Sequence, residues 1–171
     1  GEIRATPPRP VIEDLDSLPF PARSRLPAYR PSPGVHRRRP AATMLCSRGC
    51  PMRCAFCTPS PGGEYNQRLR SAEDCVAELD SLVRRDGIRE VAFYDDMFFL
   101  GSQAHIEAFC GGVLRQKLDV AWWCQLHVAF AQASTLRLMA RAGCYRVHYG
   151  VESGDARLLE ELGKHISLDH V

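Results

Sequence analysis

Four short apolar segments alternate with four amphipathic segments from residue 41 onward, and this alternation constrains the fold more than any other feature of the chain. The apolar segments are predicted to be buried strands and the amphipathic segments helices. Successive strand–helix units imply parallel strands joined by right-handed crossovers. The predicted fold class is therefore α/β, either a doubly wound sheet or a partial (β/α) barrel, with about four parallel strands and helices on the outside. The predicted strands cover residues 41–46, 90–94, 120–126 and 145–151.

Each predicted helix is preceded by a polar residue of the kind that commonly caps a helix N-terminus. Ser71 and Asp74 form a pattern like a capping box. The last predicted strand is expected to lie exposed at an open edge of the sheet, which is a position prone to aggregation. The other predicted caps are Ser102, Ser134 and Asp155, and Ser167 is predicted to begin a further helix.

Residues 1–40 differ from the rest of the chain and are predicted to be an extended lead-in or linker to a domain over residues 41–171. They hold nine of the twelve prolines, eight arginines and four acidic residues. Proline at this density disfavours helices and central strands. Apolar residues within 12–21 indicate that this part packs against the domain. The basic run 36–39 is interpreted as a solvated stretch, so that nucleic acid is not an expected partner.

The cysteines indicate metal ligation rather than a disulfide framework. Eight are present, and three of them fall within residues 50–57, too close together to pair sensibly with one another. No apolar run approaches the roughly 20 residues of a membrane helix, and the Pro- and Arg-rich start is unlike a signal peptide. Clustered thiols in an α/β chain favour a metal site. The cytoplasm is the expected location.

Cys50, Cys54 and Cys57 follow the first predicted strand with the spacing C-x3-C-x2-C. Thiolates suit both iron–sulfur clusters and zinc. Three protein ligands would leave one iron of a [4Fe–4S] cluster open to a small molecule. Zinc is the alternative, because Cys46 would supply the fourth thiolate that an all-cysteine structural zinc site needs. The remaining cysteines are predicted to be small core residues, namely Cys75, Cys110, Cys124 and Cys144.

The chemistry-bearing residues all follow predicted strands. The cysteine loop (residues 50–57) comes after the first strand, Asp95 and Asp96 after the second, and Glu152 and Ser153 after the fourth. Parallel α/β folds bind ligands at the carboxyl ends of their strands. These groups are therefore expected to form one composite site.

The cysteine loop, with the aromatic Phe56 before its last cysteine, resembles the radical S-adenosylmethionine (SAM) superfamily. The resemblance implies a [4Fe–4S] cluster on Cys50, Cys54 and Cys57, with its open iron chelated by the amino and carboxylate groups of SAM. An electron from a low-potential donor would then pass to SAM, cleaving it to methionine and a 5′-deoxyadenosyl radical. That radical would abstract hydrogen from a small-molecule substrate.

The same resemblance implies roles for other residues. Phe56 would lie beside the adenine, and Asp95 or Asp96 would occupy the place of the family's Gly-Gly-Glu segment, which contacts the SAM amino group. Glu152 lies in Gly-Val-Glu-Ser-Gly, similar to the family's Gly-hydrophobic-Glu-Ser-Gly signature, and would accept the ribose hydroxyls. The alternative for these carboxylates is capping of a turn or helix. Ser153 belongs to the same motif. Gln125 or His127 is expected to touch SAM or substrate, with a surface or core-rim position as the alternative for His127. Lys164 is expected to be solvent-exposed, and the alternative is that it offers a cation to the SAM carboxylate.

Three features resemble the cobalamin-associated branch of the superfamily: the Asp-Asp-x-Phe segment at 95–98, Arg-x-Arg-Ser at 68–71, and the lead-in at 14–21. They imply cobalamin-dependent methyl transfer or oxidative rearrangement, with cobalamin bound by a domain absent from this chain, since its Asp-x-His-x-x-Gly signature is missing. Superfamily cores usually have six strand–helix units, so residues 41–171 are expected to be the N-terminal part of such a core. A non-catalytic iron–sulfur or zinc-binding module, or an inactive fragment, is the alternative. A tRNA methylthiotransferase is disfavoured because only Cys46 lies upstream of the loop.

Overall fold

The structure is a computed structural model that describes residues 6–7, 9–25, 36–58 and 67–170. The strands are β1 Ala41–Met44, β2 Ser47–Arg48, β3 Arg68–Leu69, β4 Glu90–Phe93, β5 Ala121–Gln125 and β6 Cys144–His148. The α-helices are α1 Ala72–Arg84, α2 Gln103–Arg115, α3 Ala133–Arg141 and α4 Ala156–Glu161. Short 3₁₀ turns cover Arg23–Arg25, Phe98–Gly101, Val128–Phe130 and Leu168–His170.

Four of the strands form one parallel sheet in the order β1-β4-β5-β6. Each strand therefore lies beside the strand that follows it through a helical crossover, as right-handed α/β connections favour. Met44 pairs with Phe93 at the carboxyl end of the first pair, and Ala92 pairs with Trp123 in the next. The predicted α/β fold with four parallel strands and surrounding helices is confirmed. The remaining strands, β2 and β3, form a small antiparallel pair.

An aromatic cluster fixes the sheet to its helices. Phe93 of β4 contacts Phe98, Phe109 and Trp122 edge-on, with ring centroids 4.9, 5.5 and 5.5 Å away. These four side chains are fully buried. Edge-on contacts are favoured by the ring quadrupoles and add about 0.5–1.5 kcal/mol per pair to the gain from burial. The carboxyl end of β4 is thereby held rigidly where the candidate site begins.

Two predicted boundaries are wrong in an informative way. Strand β6 ends at His148 rather than at residue 151, and Glu152 beyond it has a left-handed φ of 71°. Helix α3 begins at Ala133 with Gln132 at its N-cap, so Ser134 lies inside the helix. The 3₁₀ turn Val128–Phe130 redirects the chain before Ser134 is reached. Ser167 precedes only a 3₁₀ turn within the described residues.

Of the other predicted N-caps, two are confirmed by their hydrogen bonds and one is not. Ser71 and Asp155 cap α1 and α4 by accepting backbone N–H groups, as predicted. Ser102 occupies the N-cap position of α2, but its hydroxyl lies 2.9 Å from His105 Nδ1 instead of meeting a backbone N–H. Strand β6 lies at the edge of the described sheet with its residues half-buried or exposed, as predicted.

Part of the lead-in packs on the domain, as its apolar residues predicted. Leu15 is buried, and Asp16 Oδ1 accepts a hydrogen bond from Ser71 N at 2.9 Å. Arg23 donates to the carbonyl oxygen of Thr43 at 2.7 Å, on the edge of β1. The edge strand therefore meets a charged side chain, which hinders pairing with another chain.

The interpretation of residues 36–39 as a solvated stretch is wrong for His36. His36 Nδ1 lies 3.0 Å from Glu90 Oε1, and the two side chains are 2% and 0% exposed. Arg38 N and the Tyr145 hydroxyl also donate to the Glu90 carboxylate. A buried carboxylate needs such partners, so Glu90 recruits the basic run to the amino end of the sheet.

None of the helices in the described part of the chain has the length and apolar character required to cross a bilayer.

The capping geometry yields a matched pair of variants. Ser71→Ala removes the hydroxyl that accepts Asp74 N–H at 3.0 Å, so we expect the free energy of unfolding to fall by about 1 kcal/mol. Ser134→Ala should change it by less than about 0.5 kcal/mol, because Ser134 is exposed within α3 and caps nothing. Urea denaturation measures both. Equal losses from the two variants would contradict the assigned start of α3.

Candidate functional site

A cavity of about 350 Å³ opens at the carboxyl ends of β4, β5 and β6. It brings together side chains that are far apart in the sequence, as expected when parallel strands end at one edge of a sheet. We call it the main cavity. Of the residues predicted to form the site, it is lined by Cys50, Cys54, Phe56, Cys57, Asp95, Asp96, Gln125 and Glu152.

The cysteine loop is held in place by its backbone. Gly49, with φ of 82°, turns the chain from β2 into the loop in a conformation that favours glycine. Cys57 N donates to the Cys54 carbonyl at 3.0 Å, which closes a tight turn. Ala55 N donates to the carbonyl of Leu162 at 3.0 Å, at the end of α4. The loop is thus tied to the helix that follows the last strand.

The three thiols of the loop have the chemistry that an iron–sulfur cluster takes as ligands. Cys50, Cys54 and Cys57 belong to one short loop and line the same cavity. Burial raises the pKa of Cys50, a backbone hydrogen bond from Met52 lowers it, and the charges of Asp96, Cys54 and Cys57 raise it. A [4Fe–4S] cluster binds each protein thiolate through a different iron, so the residue types present are compatible with a cluster.

Cys46 is separated from these thiols. It is completely buried, its Sγ lies 3.1 Å from Asp95 Oδ1, and Phe99 N donates to the same sulfur at 3.3 Å. Burial raises the pKa of Cys46 well above its usual value, which keeps it a thiol. Cys46 does not line the main cavity, so the four-cysteine set of the zinc alternative is not assembled.

The other four cysteines behave as core residues. Cys75, Cys110 and Cys124 are buried, and Cys144 is half-buried and packs against the core. Burial raises the pKa of Cys110 to about 12. A thiol in that environment is inert as a ligand or nucleophile.

Glu152 stands in an unusual conformation at the cavity. Its φ of 71° is left-handed, which is uncommon for a residue with a side chain and is found at functional sites. Gly150 lies beneath its carboxylate: a Cβ at position 150 would come 2.5 Å from Glu152 Oε1. An alanine at position 150 would thus displace this carboxylate from its present position.

Lys164 is buried, so the expectation that it is solvent-exposed is wrong. Only 8% of its side chain is exposed, and Nζ lies 3.7 Å from Glu152 Oε1. The ammonium also stands over the Phe56 ring, 5.9 Å from its centroid, within cation–π range. Lys164 therefore links Glu152 of the last strand–helix unit to Phe56 of the cysteine loop.

Three further predicted residues take different positions. Gln125 ends β5 and is exposed in the main cavity. His127 lines it too but is largely buried, with Nε2 3.1 Å from the carbonyl oxygen of Lys164. Ser153 is not among the lining residues; its hydroxyl accepts Asp155 N–H at 3.0 Å. A SAM contact for Ser153 stays a prediction.

Sequence reasoning missed two aromatic residues of the cavity. Tyr94 directly follows β4, and His148 is the last residue of β6. Both line the main cavity, and their rings lie 5.3 and 5.2 Å from the Trp123 ring, measured between centroids. The alternation of side chains along a strand is the signal that could have found them: Trp123 lies on the same face of β5 as Gln125, so the rings that contact Trp123 lie on that face too. The predicted strand 145–151 hid His148 in the middle of a strand rather than at its end.

The fold and site define an α/β protein with clustered thiols and carboxylates at the carboxyl ends of its parallel strands. Residues 44–171 match the radical SAM superfamily, and the chain belongs to that superfamily.

Two curated relatives are methyltransferases by name. An uncharacterised methyltransferase of Pyrococcus horikoshii is 33% identical over 168 residues, covering 98% of this chain and 36% of the relative. Cytidylyl-2-hydroxyethylphosphonate methyltransferase of Streptomyces wedmorensis is 29% identical, covering 94% of this chain and 31% of the relative. The chain thus spans about a third of the length of these relatives.

Solved structures share the fold. The radical SAM methyltransferase TsrM from Kitasatospora setae, with cobalamin and a [4Fe–4S] cluster bound, superimposes with a TM-score of 0.67 at 22% identity over 84% of this chain and 31% of its own. The cobalamin-dependent radical SAM enzyme OxsB, with aqua-cobalamin and SAM bound, gives a TM-score of 0.65 at 24% identity over 76% of this chain and 21% of its own.

The surroundings of His127 predict its protonation state. Ala129 N donates to Nδ1 at 3.3 Å, so Nε2 carries the proton and donates to Lys164 O. Burial lowers the pKa of His127, and the Lys164 charge lowers it further. The neutral ring therefore stabilises the fold above the ordinary histidine pKa, and this contribution is lost as pH falls through the lower, folded value.

Nitrogen-15 NMR of the imidazole measures this directly. We expect the Nε2–H tautomer at neutral pH and a midpoint below that of a histidine in a short peptide. A midpoint above the peptide value, or an Nδ1–H tautomer, would contradict the assigned hydrogen bonds.

Proposed function

We propose that this chain holds a [4Fe–4S] cluster on Cys50, Cys54 and Cys57 and binds SAM in the main cavity to start radical chemistry. The observation that carries the proposal is the shared cavity: three thiols, three carboxylates and the Phe56 ring, from different strand–helix units, line it together. Membership of the radical SAM superfamily supports it. All eight cysteines are free, as they would be in the cytoplasm.

The roles of the side chains follow from their chemistry. A bound cluster would supply one electron, received from a low-potential donor, and SAM would part into methionine and a 5′-deoxyadenosyl radical. The Asp96 carboxylate, exposed in the cavity beside Cys50, would attract the SAM ammonium. Glu152 would accept the two ribose hydroxyls with its two oxygens. Phe56, whose ring is 52% exposed, would pack against the adenine.

Lys164 would restrict where Glu152 can point. Its ammonium is nearly buried and 3.7 Å from the carboxylate, and the attraction between such charges is stronger away from water. An oriented carboxylate loses less conformational freedom when it binds a ligand. We therefore assign Lys164 a positioning role toward the ribose-binding carboxylate.

Methyl transfer is the favoured subtype of chemistry. The two methyltransferase relatives cover nearly all of this chain, and the Asp-Asp-x-Phe segment at 95–98 resembles the cobalamin-associated branch. The cobalamin would bind to a part of the protein outside these residues, because the Asp-x-His-x-x-Gly motif does not occur in them. The substrate would be a small molecule.

Cysteine variants test the cluster. In anaerobically reconstituted protein, replacing Cys50, Cys54 or Cys57 with Ala should abolish cluster binding, because each thiolate is the sole protein ligand of one iron. Cys46→Ala should retain the iron, since Cys46 lies behind the loop. Iron analysis and the visible absorbance of the cluster measure the result. Loss of iron from Cys46→Ala, or zinc in place of iron, would contradict the proposed ligand set.

Two glycine variants test the SAM site. Gly150→Ala places a methyl group against Glu152 Oε1 and should displace the carboxylate, whereas position 154 has no atom within 4 Å of a new Cβ. Losing one charge-assisted hydrogen bond should weaken SAM binding by about tenfold. Gly154→Ala should bind SAM like the wild type. Anaerobic calorimetry on cluster-loaded protein provides the affinities, and equal affinities for the two variants would contradict a role for Glu152.

A further inference from the structure

The two adjacent carboxylates that follow β4 lie in different environments. Asp95 is 1% exposed, whereas Asp96 is exposed in the main cavity. One oxygen of Asp95, Oδ2, is buried without a hydrogen-bond partner among the described residues. A ligand entering the cavity therefore meets Asp96 before Asp95.

Asp95 instead faces the chain where it leaves β1. Its Oδ1 lies 2.9 Å from Cys46 N, 2.5 Å from Ser47 N, 2.6 Å from Ser47 Oγ and 3.1 Å from Cys46 Sγ. Four donors thus surround a single oxygen. Hydrogen bonds are stronger in a buried environment than in water, and a buried donor that loses its acceptor is costly to the fold.

These contacts lie immediately before the metal-binding residues. Ser47 begins β2, and only Arg48 and Gly49 separate it from Cys50. A hydrogen bond from Arg70 N to the Cys46 carbonyl, at 2.9 Å, holds the same segment from the other side. A shift of the backbone at 46–47 would therefore move the first thiol of the cysteine loop.

The turn that follows Asp96 also contacts Cys46 and Ser47. Ser47 Oγ lies 3.1 Å from the carbonyl oxygen of Met97, and Phe99 N donates to Cys46 Sγ. Phe99 and Leu100 have φ of 43° and 51°, left-handed values that cost free energy for residues other than glycine. Contacts with Cys46 and Ser47 hold this strained turn against the exit from β1.

We infer that Asp95 is a positioning residue that fixes the cysteine loop through Cys46 and Ser47, and that Asp96 is the carboxylate of the pair that meets the ligand. The inference rests on the proposed function, because it assumes that the loop binds a cluster. The sequence alone leaves open which of Asp95 and Asp96 would contact SAM, and the inference gives the two residues different roles.

The test compares Asp95→Asn and Asp96→Asn in cluster-loaded protein without SAM. A residue that only binds SAM leaves the SAM-free cluster unchanged, whereas a residue that positions the loop alters it. We expect Asp95→Asn to change the electron paramagnetic resonance line shape of the reduced cluster. We also expect iron to be lost to a chelator about tenfold faster, since an amide replaces the carboxyl group on which the four donors converge. Asp96→Asn should bind SAM more weakly and should speed iron release less than Asp95→Asn does.

Ser47→Ala gives a second route if Asp95→Asn folds poorly. Because Ser47 and Asp95 act through one contact, their effects on iron release should be strongly non-additive in the double variant. Ser47→Ala and Asp96→Asn should combine additively. Thermal unfolding of the metal-free proteins separates a general loss of stability from an effect on the loop.

Two results would overturn the inference, and they differ from failure of the proposed function. The first is a wild-type SAM-free spectrum and release rate in both Asp95→Asn and Ser47→Ala, with SAM binding lost in Asp95→Asn; Asp95 would then be a direct ligand. The second is additivity between Ser47 and Asp95. Failure of the wild-type protein to assemble a cluster would instead remove the proposed function and the inference with it.

Discussion

The parallel pairing of β1 with β4 sets the geometry on which the site depends. Met44 and Phe93 lie opposite each other at the last step of the ladder, and Tyr94 N continues the pairing by donating to the Met44 carbonyl at 3.1 Å. Both chains therefore leave the sheet side by side. The Asp95 carboxylate reaches Cys46 and Ser47 only because of this register. A slip of one residue would reverse which face each side chain meets and would separate them.

The two ends of the parallel sheet differ in how their polar side chains are paired. At the amino end, the buried Glu90 carboxylate accepts hydrogen bonds from Arg38 N and from the Tyr145 hydroxyl, and it lies 3.0 Å from His36 Nδ1. Such a satisfied network stabilises the fold but leaves no group open to a ligand. At the carboxyl end, side chains line an open cavity, and a carboxylate on a left-handed residue faces a nearly buried ammonium. Active sites of parallel (β/α) folds lie at this end.

The sequence was sufficient for the four parallel strands and for the position of the cysteine loop, because both depend on local patterns. Apolar runs located the four strands, and the C-x3-C-x2-C spacing located the thiols. It was not sufficient where long-range contacts decide. Lys164 and His36 look like surface residues, yet each is buried by a carboxylate distant in sequence. The adjacent Asp95 and Asp96 cannot be told apart in the sequence, because only the packing of residues 46–47 against Asp95 distinguishes them. Ser134 does not cap α3, because the 3₁₀ turn Val128–Phe130, which no local motif predicts, precedes a helix that begins at Ala133.

We propose that the cysteine loop would present an open iron to SAM within this cavity. Electron–nuclear double resonance can detect that contact in reduced, cluster-loaded protein mixed with SAM that carries nitrogen-15 in its amino group. We expect a hyperfine coupling between the cluster and that nitrogen, because the amino group would be a ligand of the open iron. SAM that binds to the reduced protein without any such coupling would contradict it.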